Sequence, residues 1–287
     1  MPTSKRERQR ANRQIRQAQL AAAKRRRSTL RATIIILVGV LVVGGIVALV
    51  TSGSPKKTAT TKTTATTKTT ASSTSTASST STTVATQYAA LQRQANDAAI
   101  KAGCPANPKV RVNTLSWPKP PAMSIDTSKT YTATVTTTAG TFTINLLAGQ
   151  APQTVNSFVF LANQNFFHCV IFHRVIPSFM DQTGDPTGTG TGWPGYTFNN
   201  ENTPKAYATG DVAMANSGLN TNGSQFFVVV PGGATQLNSD LAAGDKYTLF
   251  GTVTSGMNVV ETINADGSAS GTPNIVQRIL TVKISTS

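Results

Sequence analysis

The chain has 287 residues and carries 26 Lys and Arg against 11 Asp and Glu, a formal net charge of +15; spread over a globular surface, that balance would point to nucleic acid. It is not spread evenly: eleven of the basic residues lie in positions 1–33 beside the single acid Glu7, four lysines and no acid lie in 51–83, and from Val84 onward the two signs nearly cancel. The globular part is close to neutral, which excludes nucleic-acid binding through a basic folded surface.

In chain order, residues 1–32 form a basic tail, and "TIIILVGVLVVGGIVALV" (Thr33 to Val50) lies in a window from Ala32 to Pro55 without a charge. At about 1.5 Å per helical residue that segment nearly matches the roughly 30 Å hydrocarbon core of a bilayer. With the bases in front of it, the expectation is a single-pass cell-membrane anchor, the N-terminus cytoplasmic and everything after Ser52 extracytoplasmic. A cleavable signal peptide is the competing reading, but the apolar stretch is long for one and no clear small-x-small cleavage site follows. Residues 51–83 are almost wholly Thr, Ser, Ala and Lys, too polar to bury a core, so they read as a disordered linker.

Residues 84–128 read as a helical and Pro-rich extension. Tyr88, Leu91, Ala95, Ala98 and Ala102 recur at helical spacing, and Pro105, Pro108, Pro118, Pro120 and Pro121 follow. From 129 to 287 the period changes. "YTATVTTT" and "TFTINLL" around Gly140 predict a hairpin. Pro152 opens a helix with Val155, Phe158, Val159 and Ala162 on one face. Further strands are expected at 170–176, 211–215, 224–230, 248–253 and 276–285, with a helix near Met257 to Asn264. Many strands, two helices and no βα alternation favour a closed antiparallel barrel over a doubly wound sheet.

Little conventional catalytic chemistry is present. The only histidines, His168 and His173, lack the spacing of a helical zinc pair, so no metal site is expected. No nucleophile-elbow motif occurs. "GTGWPG" (190–195) has glycines at dinucleotide-fingerprint spacing but follows a Gly/Thr loop rather than a strand, and reads as a surface loop. Cys104 and Cys169 lie on the side assigned as oxidising, so a disulfide is possible, the alternative being two buried thiols. The awkward residue is Arg174, a permanent charge inside the β-branched run "VIFHRVIPSFMDQTGD". Its bland reading is an ion-paired strand residue; its functional reading is a fixed donor.

A second stretch tips the balance. "APQTVNSFVFLA", "FHRVIPSFMDQTGDPTGTGTG", "PGYTFNNE", "MANSGLNTNGSQFFV" and "LFGTV", in that order, resemble the cyclophilin family of peptidyl-prolyl cis-trans isomerases, especially its bacterial members, over about Tyr131 to Ile284. The resemblance implies an eight-stranded barrel capped by two helices, and rotation of X-Pro peptide bonds without metal or cofactor. Arg174 matches the family's catalytic arginine, with Gln182 fixing it and the substrate backbone. Phe179, Met180, Phe227 and Leu237 match the apolar pocket for the proline ring, with Tyr247 at its rim. Ala215, Asn216 and Gln225 match positions that pair with the substrate chain.

Four departures stand out. Ser217 replaces a common alanine and Thr183 a glycine. Gln236 stands where cyclosporin-sensitive eukaryotic members have tryptophan, which speaks against strong cyclosporin binding. Tyr247 replaces the usual histidine. The expected function is acceleration of proline-limited folding of exported or cell-surface proteins by a monomeric enzyme. A non-catalytic proline-peptide-binding or chaperone module at the cell surface is the alternative.

Overall fold

The computed structural model describes residues 76–287 except 205 and 245, with side chains from position 85 onward. The basic tail, the expected membrane span and the linker up to position 75 lie outside the described residues. Among the described residues no helix is long and apolar enough to cross a membrane.

Helix α1 (Thr76–Lys101) reaches back into the Thr/Ser tract read as linker. Its inward face keeps Ala95 of the expected set but not Tyr88 or Leu91. Ala95 and Ala99 are buried, whereas Tyr88 and Leu91 are exposed, because the helix docks through amides on the adjoining turn positions. The Gln92 side-chain oxygen accepts the Val276 N–H at 2.7 Å, and Asn96 Oδ1 accepts Nη2 of Arg278 at 3.0 Å. Just past the helix, Cys104 is joined to Cys169 by a disulfide with Cα atoms 5.4 Å apart. The Pro-rich strap then runs along the domain: Val112 donates to the Pro186 carbonyl, Trp117 donates to that of Pro194, and the Trp117 ring meets Phe160 edge-on at 5.0 Å.

Strands β1 (Tyr131–Thr137) and β2 (Gly140–Leu146) form the expected hairpin, with strict burial alternation along β1. Helix α2 (Pro152–Asn163) starts with proline in its first turn, and its free N–H groups at Gln153 and Thr154 donate to the Glu201 carboxylate at 2.9 and 2.7 Å. A remote acid thus serves as the cap. Then come β3 (Arg174–Ile176), β4 (Met180–Thr183), β5 (Asp211–Met214), β6 (Phe226–Val229), helix α3 (Gly233–Ala242), β7 (Leu249–Ser255), helix α4 (Met257–Ala265) and β8 (Ile279–Thr286). The sequence reading missed α3, although Leu237 and Leu241 stand at i and i+4.

All eight strands form one antiparallel sheet in the order β3-β4-β6-β5-β7-β2-β1-β8. This mainly-β fold is a half-barrel rather than the closed barrel expected. Among the described residues no ladder joins β3 to β8; their lead-in segments meet through a single bridge, Ile171 to Arg278, and a few bonds such as Phe172 N–H to the Gln277 carbonyl at 3.0 Å. Inside lies a phenylalanine-rich core in which Phe158 touches Phe167, Phe226 and Phe250 with ring centroids 5.2 to 5.5 Å apart. A smaller apolar cluster on the β3–β4–β6 side builds the site.

Candidate active site

The site begins with the β3–β4 hairpin. Arg174 and Gln182 are cross-strand partners, and Gln182 is in turn paired with Phe227 of β6. Period-two alternation therefore puts Met180, Gln182 and Phe227 on the surface that Arg174 overlies, while Asp181 faces the other way. Arg174 Nη1 donates to Gln182 Oε1 at 3.2 Å and approaches Met180 Sδ at 3.8 Å. Gln182 Nε2 donates to Gln225 Oε1 at 3.0 Å, and Gln225 Nε2 donates to the carbonyls of Gly190 and Gly192 at 3.1 and 2.9 Å. The chain of amides leaves Nε and Nη2 of Arg174 with no hydrogen-bond partner among the described residues. Nor does any described carboxylate form an ion pair with it, which removes the bland reading of the residue. Burial lowers the Arg174 pKa from its ordinary value; a guanidinium stays charged all the same.

Beside this donor lies the second apolar cluster. It contains Met180, Tyr207, Ala213, Phe227, Val229 and Leu237, with Phe179, Ala215 and Tyr247 packed against it. All five residues assigned to the ring pocket and its rim are thus brought together. Tyr247 stands edge-on to Phe227 at 5.5 Å, so a tyrosine fills the rim position with an aromatic contact intact. Leu237 comes from α3 and is 2% exposed, whereas Gln236 points outward and donates to Asp240 at 2.8 Å.

Tyr207, which sequence reasoning missed, donates its hydroxyl to the Tyr247 carbonyl and accepts the Tyr247 N–H at 3.2 Å. It lies in a loop with no periodic signal. Asn216 and Ala215 border the cluster, with the Ala215 N–H given to the Gln225 carbonyl at 2.9 Å. The Asn216 amide is already engaged, donating to the Lys246 carbonyl at 2.9 Å and accepting from Gly218 at 3.1 Å. Its side chain therefore holds the rim loop.

Two buried acids frame the site from outside. Asp185 accepts the N–H groups of Thr187, Thr189, Gly190 and Gly192 and the Thr187 hydroxyl, at 2.6 to 3.1 Å. That is what curls the Gly/Thr loop into the wall that Gln225 leans on. Burial pushes the Asp185 carboxyl up, but the Thr187 and Gly192 bonds outweigh it and hold the pKa below the ordinary value. Asp181, fully buried, accepts Nδ2 of Asn264 at 2.7 Å on one oxygen and has no partner on the other. Burial pushes its pKa up to about 7. Asn264 also accepts the Ser178 N–H and donates to the Ile176 carbonyl, both at 3.0 Å, clamping the turn that presents Phe179.

His173 lies outside this chemistry: burial lowers its pKa, and neither ring nitrogen has a hydrogen-bond partner. Thr183 donates its hydroxyl to the Ile171 carbonyl at 3.0 Å and Ser217 is exposed, so neither departure touches the pocket. Cys104, His168 and Cys169 bring potential metal ligands within 4.8 Å of one another, but both sulfurs are in the disulfide and His168 Nδ1 is engaged by the Leu280 carbonyl at 2.7 Å.

A permanent donor with spare N–H groups, set beside an apolar cluster on a β-sheet, suits an amide flanked by an apolar ring. Residues 132–285 match the family model for cyclophilin type peptidyl-prolyl cis-trans isomerase. Peptidyl-prolyl cis-trans isomerase-like 1 of Aspergillus niger is 46% identical over 130 residues, 44% of this chain and 76% of its own. The probable peptidyl-prolyl cis-trans isomerase B of Mycobacterium tuberculosis is 36% identical over 193 residues, 61% of this chain and 60% of its own. A solved cyclophilin type isomerase from Cryptosporidium parvum, 29% identical, covers 55% of this chain and 99% of its own with a TM-score of 0.49. The chain belongs to the cyclophilin-type peptidyl-prolyl cis-trans isomerase family, and it is an enzyme of that class.

Proposed function

We propose that Arg174 performs the catalysis by donating to the prolyl nitrogen as the X-Pro amide twists. The barrier, about 18–20 kcal/mol, comes from amide resonance. Twisting breaks the conjugation and returns a lone pair to the nitrogen, so a fixed cationic donor binds the twisted state more strongly than either planar isomer. Phe179, Met180, Phe227, Leu237 and Tyr247 hold the proline ring, Gln182 fixes Arg174, and the backbone around Ala215 and Asn216, with Gln225, pairs with the substrate chain. The observation that carries this reading is the pair of unspent donor groups on Arg174 directly beside the apolar cluster.

The test is a protease-coupled isomerisation assay on the intact chain. Arg174→Ala is expected to lower kcat/KM by about 10²–10³-fold with the fold unchanged. Because arginine does not titrate in this range, the chemical step of the wild type is expected to stay flat between about pH 6 and 9. An Arg174→Ala variant as active as wild type, or a steep titration of the wild-type rate independent of folding, contradicts the assignment.

The clients we propose are proline-containing segments of exported or cell-surface proteins, met by a monomeric enzyme anchored through residues 33–50 on the extracytoplasmic side. The uncharged window behind a basic tail supports the anchor, and the Cys104–Cys169 disulfide suits an oxidising compartment. Isomerase activity in the membrane fraction, lost from it on deletion of residues 33–50, is the expected result; activity confined to the soluble fraction counts against the anchor.

A further inference from the structure

We propose that the loop 267–271, "GSASG", is a positioning element for Arg174, with Gly271 as its critical residue; the inference rests on Arg174 being the donor argued above. β3 is an edge strand, paired on one side only, with β4. A three-residue edge strand is poorly held by its ladder alone. Its free edge, however, is occupied. The Val175 N–H donates to the Gly271 carbonyl at 2.8 Å, and the Val175 carbonyl accepts the Ser268 N–H at 3.2 Å. The loop therefore satisfies both outward backbone groups of the residue next to Arg174, as a ninth strand would.

The loop is itself fixed. Gly271 N–H closes on the Ser268 carbonyl at 2.9 Å, the Ser268 hydroxyl donates to the Thr272 carbonyl at 2.7 Å, and Asn274 Nδ2 donates to the Gly267 carbonyl at 2.7 Å.

Gly271 brings its backbone against the arginine's own stem. It adopts φ +85°, and a Cβ placed there would lie 3.2 Å from Arg174 Cγ and 3.8 Å from its Nε. Only glycine lets the loop sit this close. A methyl group would push Cγ by a few tenths of an ångström, and the guanidinium, several bonds further out, would swing by more. Since a misplacement of about 1 Å can cost about 10²-fold in rate, the expected loss is about tenfold. On the pocket side the added Cβ would meet only Cγ1 of Ile176, at an ordinary van der Waals 3.5 Å, so ground-state binding should be spared. Gly271 acts through Arg174 and does not touch substrate.

The test compares Gly271→Ala with Gly103→Ala in the intact chain. Gly103 has nearly the same backbone angle, φ +87°, with nothing within 4 Å of its added Cβ, so it carries the conformational strain without the contact. Gly271→Ala is expected to lower kcat about tenfold with KM within twofold, and Gly103→Ala to change neither. Equal effects of the two variants, or a KM-only effect of Gly271→Ala, overturn the proposal. Should Gly271→Ala not fold, hydrogen exchange on the wild type decides. The Val175 amide is expected to be protected at least about 100-fold despite lying on a sheet edge, and exchange at the rate of an unpaired amide overturns the proposal. Arg174→Ala assayed alongside separates the two ideas. Full activity there removes the donor assignment itself, whereas loss there with Gly271→Ala matching Gly103→Ala removes only the positioning role.

Discussion

Two arginines, each in a β-branched run, mark two regions of the molecule with different tasks. Arg278, in "VQRILTV", is 1% exposed; its Nη1 and Nη2 are spent on the carbonyls of Pro105 and Ala106 and on Asn96 Oδ1, and only its Nε, buried away from any pocket, lacks a partner. Arg174 is exposed, its partners are a side-chain amide and a thioether, and two of its nitrogens are unengaged. Desolvation lowers the pKa of both, in Arg174 although the residue as a whole is exposed. A charge that is costly to bury is thus no marker of function by itself; the more deeply buried arginine is the structural one. What separates them is whether donors remain unspent beside an apolar pocket. The Arg278 region ties the N-terminal extension to the sheet, and the Arg174 region is kept free for a ligand.

Changes in the first region should therefore move stability and leave turnover alone. The largest effect is expected from the disulfide. Its closed loop, with a sequence separation of 65, corresponds to about 4 kcal/mol on the chain-entropy model. Urea unfolding of Cys104→Ala/Cys169→Ala should show a loss approaching that figure, with kcat/KM of the folded protein within about twofold of wild type. A large fall in turnover at full folding would merge the two regions.

Next comes Arg278→Met, which leaves the Pro105 and Ala106 carbonyls and Asn96 Oδ1 without this donor. A loss of about 3 kcal/mol is expected, again without effect on kcat. At the border between the regions stands Asp181, between Met180 and Gln182 in sequence but turned away from the groove. Its folded pKa, about 7, lies above its ordinary 3.8, so the folded state binds the proton more tightly. The contribution to stability is complete below about pH 4 and is lost as pH rises to about 7. Asp181→Asn should remove that slope, gaining a few kcal/mol over wild type at pH 8 and nothing at pH 4. The measurement is the unfolding midpoint against pH; an unchanged slope contradicts the assignment.

The smallest effect is expected inside the groove. Tyr247→Ala removes the edge contact to Phe227, worth about 1 kcal/mol, and should raise KM about fivefold with kcat nearly unchanged.

The groove was far more legible in the sequence than its mounting. Arg174, Phe179, Met180 and Gln182 fall within nine consecutive residues of one hairpin, with Arg174, Met180 and Gln182 on one face, so motif and geometry coincide. Gln225, just before β6, and Phe227 within it are likewise i and i+2. The extension was misread in part because its docking surface is partly polar: spacing of apolar residues selected Tyr88 and Leu91 along with Ala95, whereas Gln92 and Asn96 make hydrogen bonds to the domain. Tyr207, Asn264 and the loop 267–271 reach the site from distant loops and helix ends, where no periodicity carries a signal. The half-barrel seam was hidden for a related reason. The run 170–176 reads as one strand, but its first part bonds to 277–279 and only Arg174–Ile176 joins the ladder.

The most direct test of the central claim separates binding from rotation in one experiment. NMR exchange spectroscopy on a short X-Pro peptide with the intact chain reports both occupancy and the cis/trans interconversion rate of the bound peptide. Wild type is predicted to accelerate exchange strongly. Arg174→Ala is predicted to bind the peptide with a Kd within about threefold of wild type while its exchange rate at equal occupancy falls at least about 100-fold. Exchange in Arg174→Ala within twofold of wild type at equal occupancy would contradict the account.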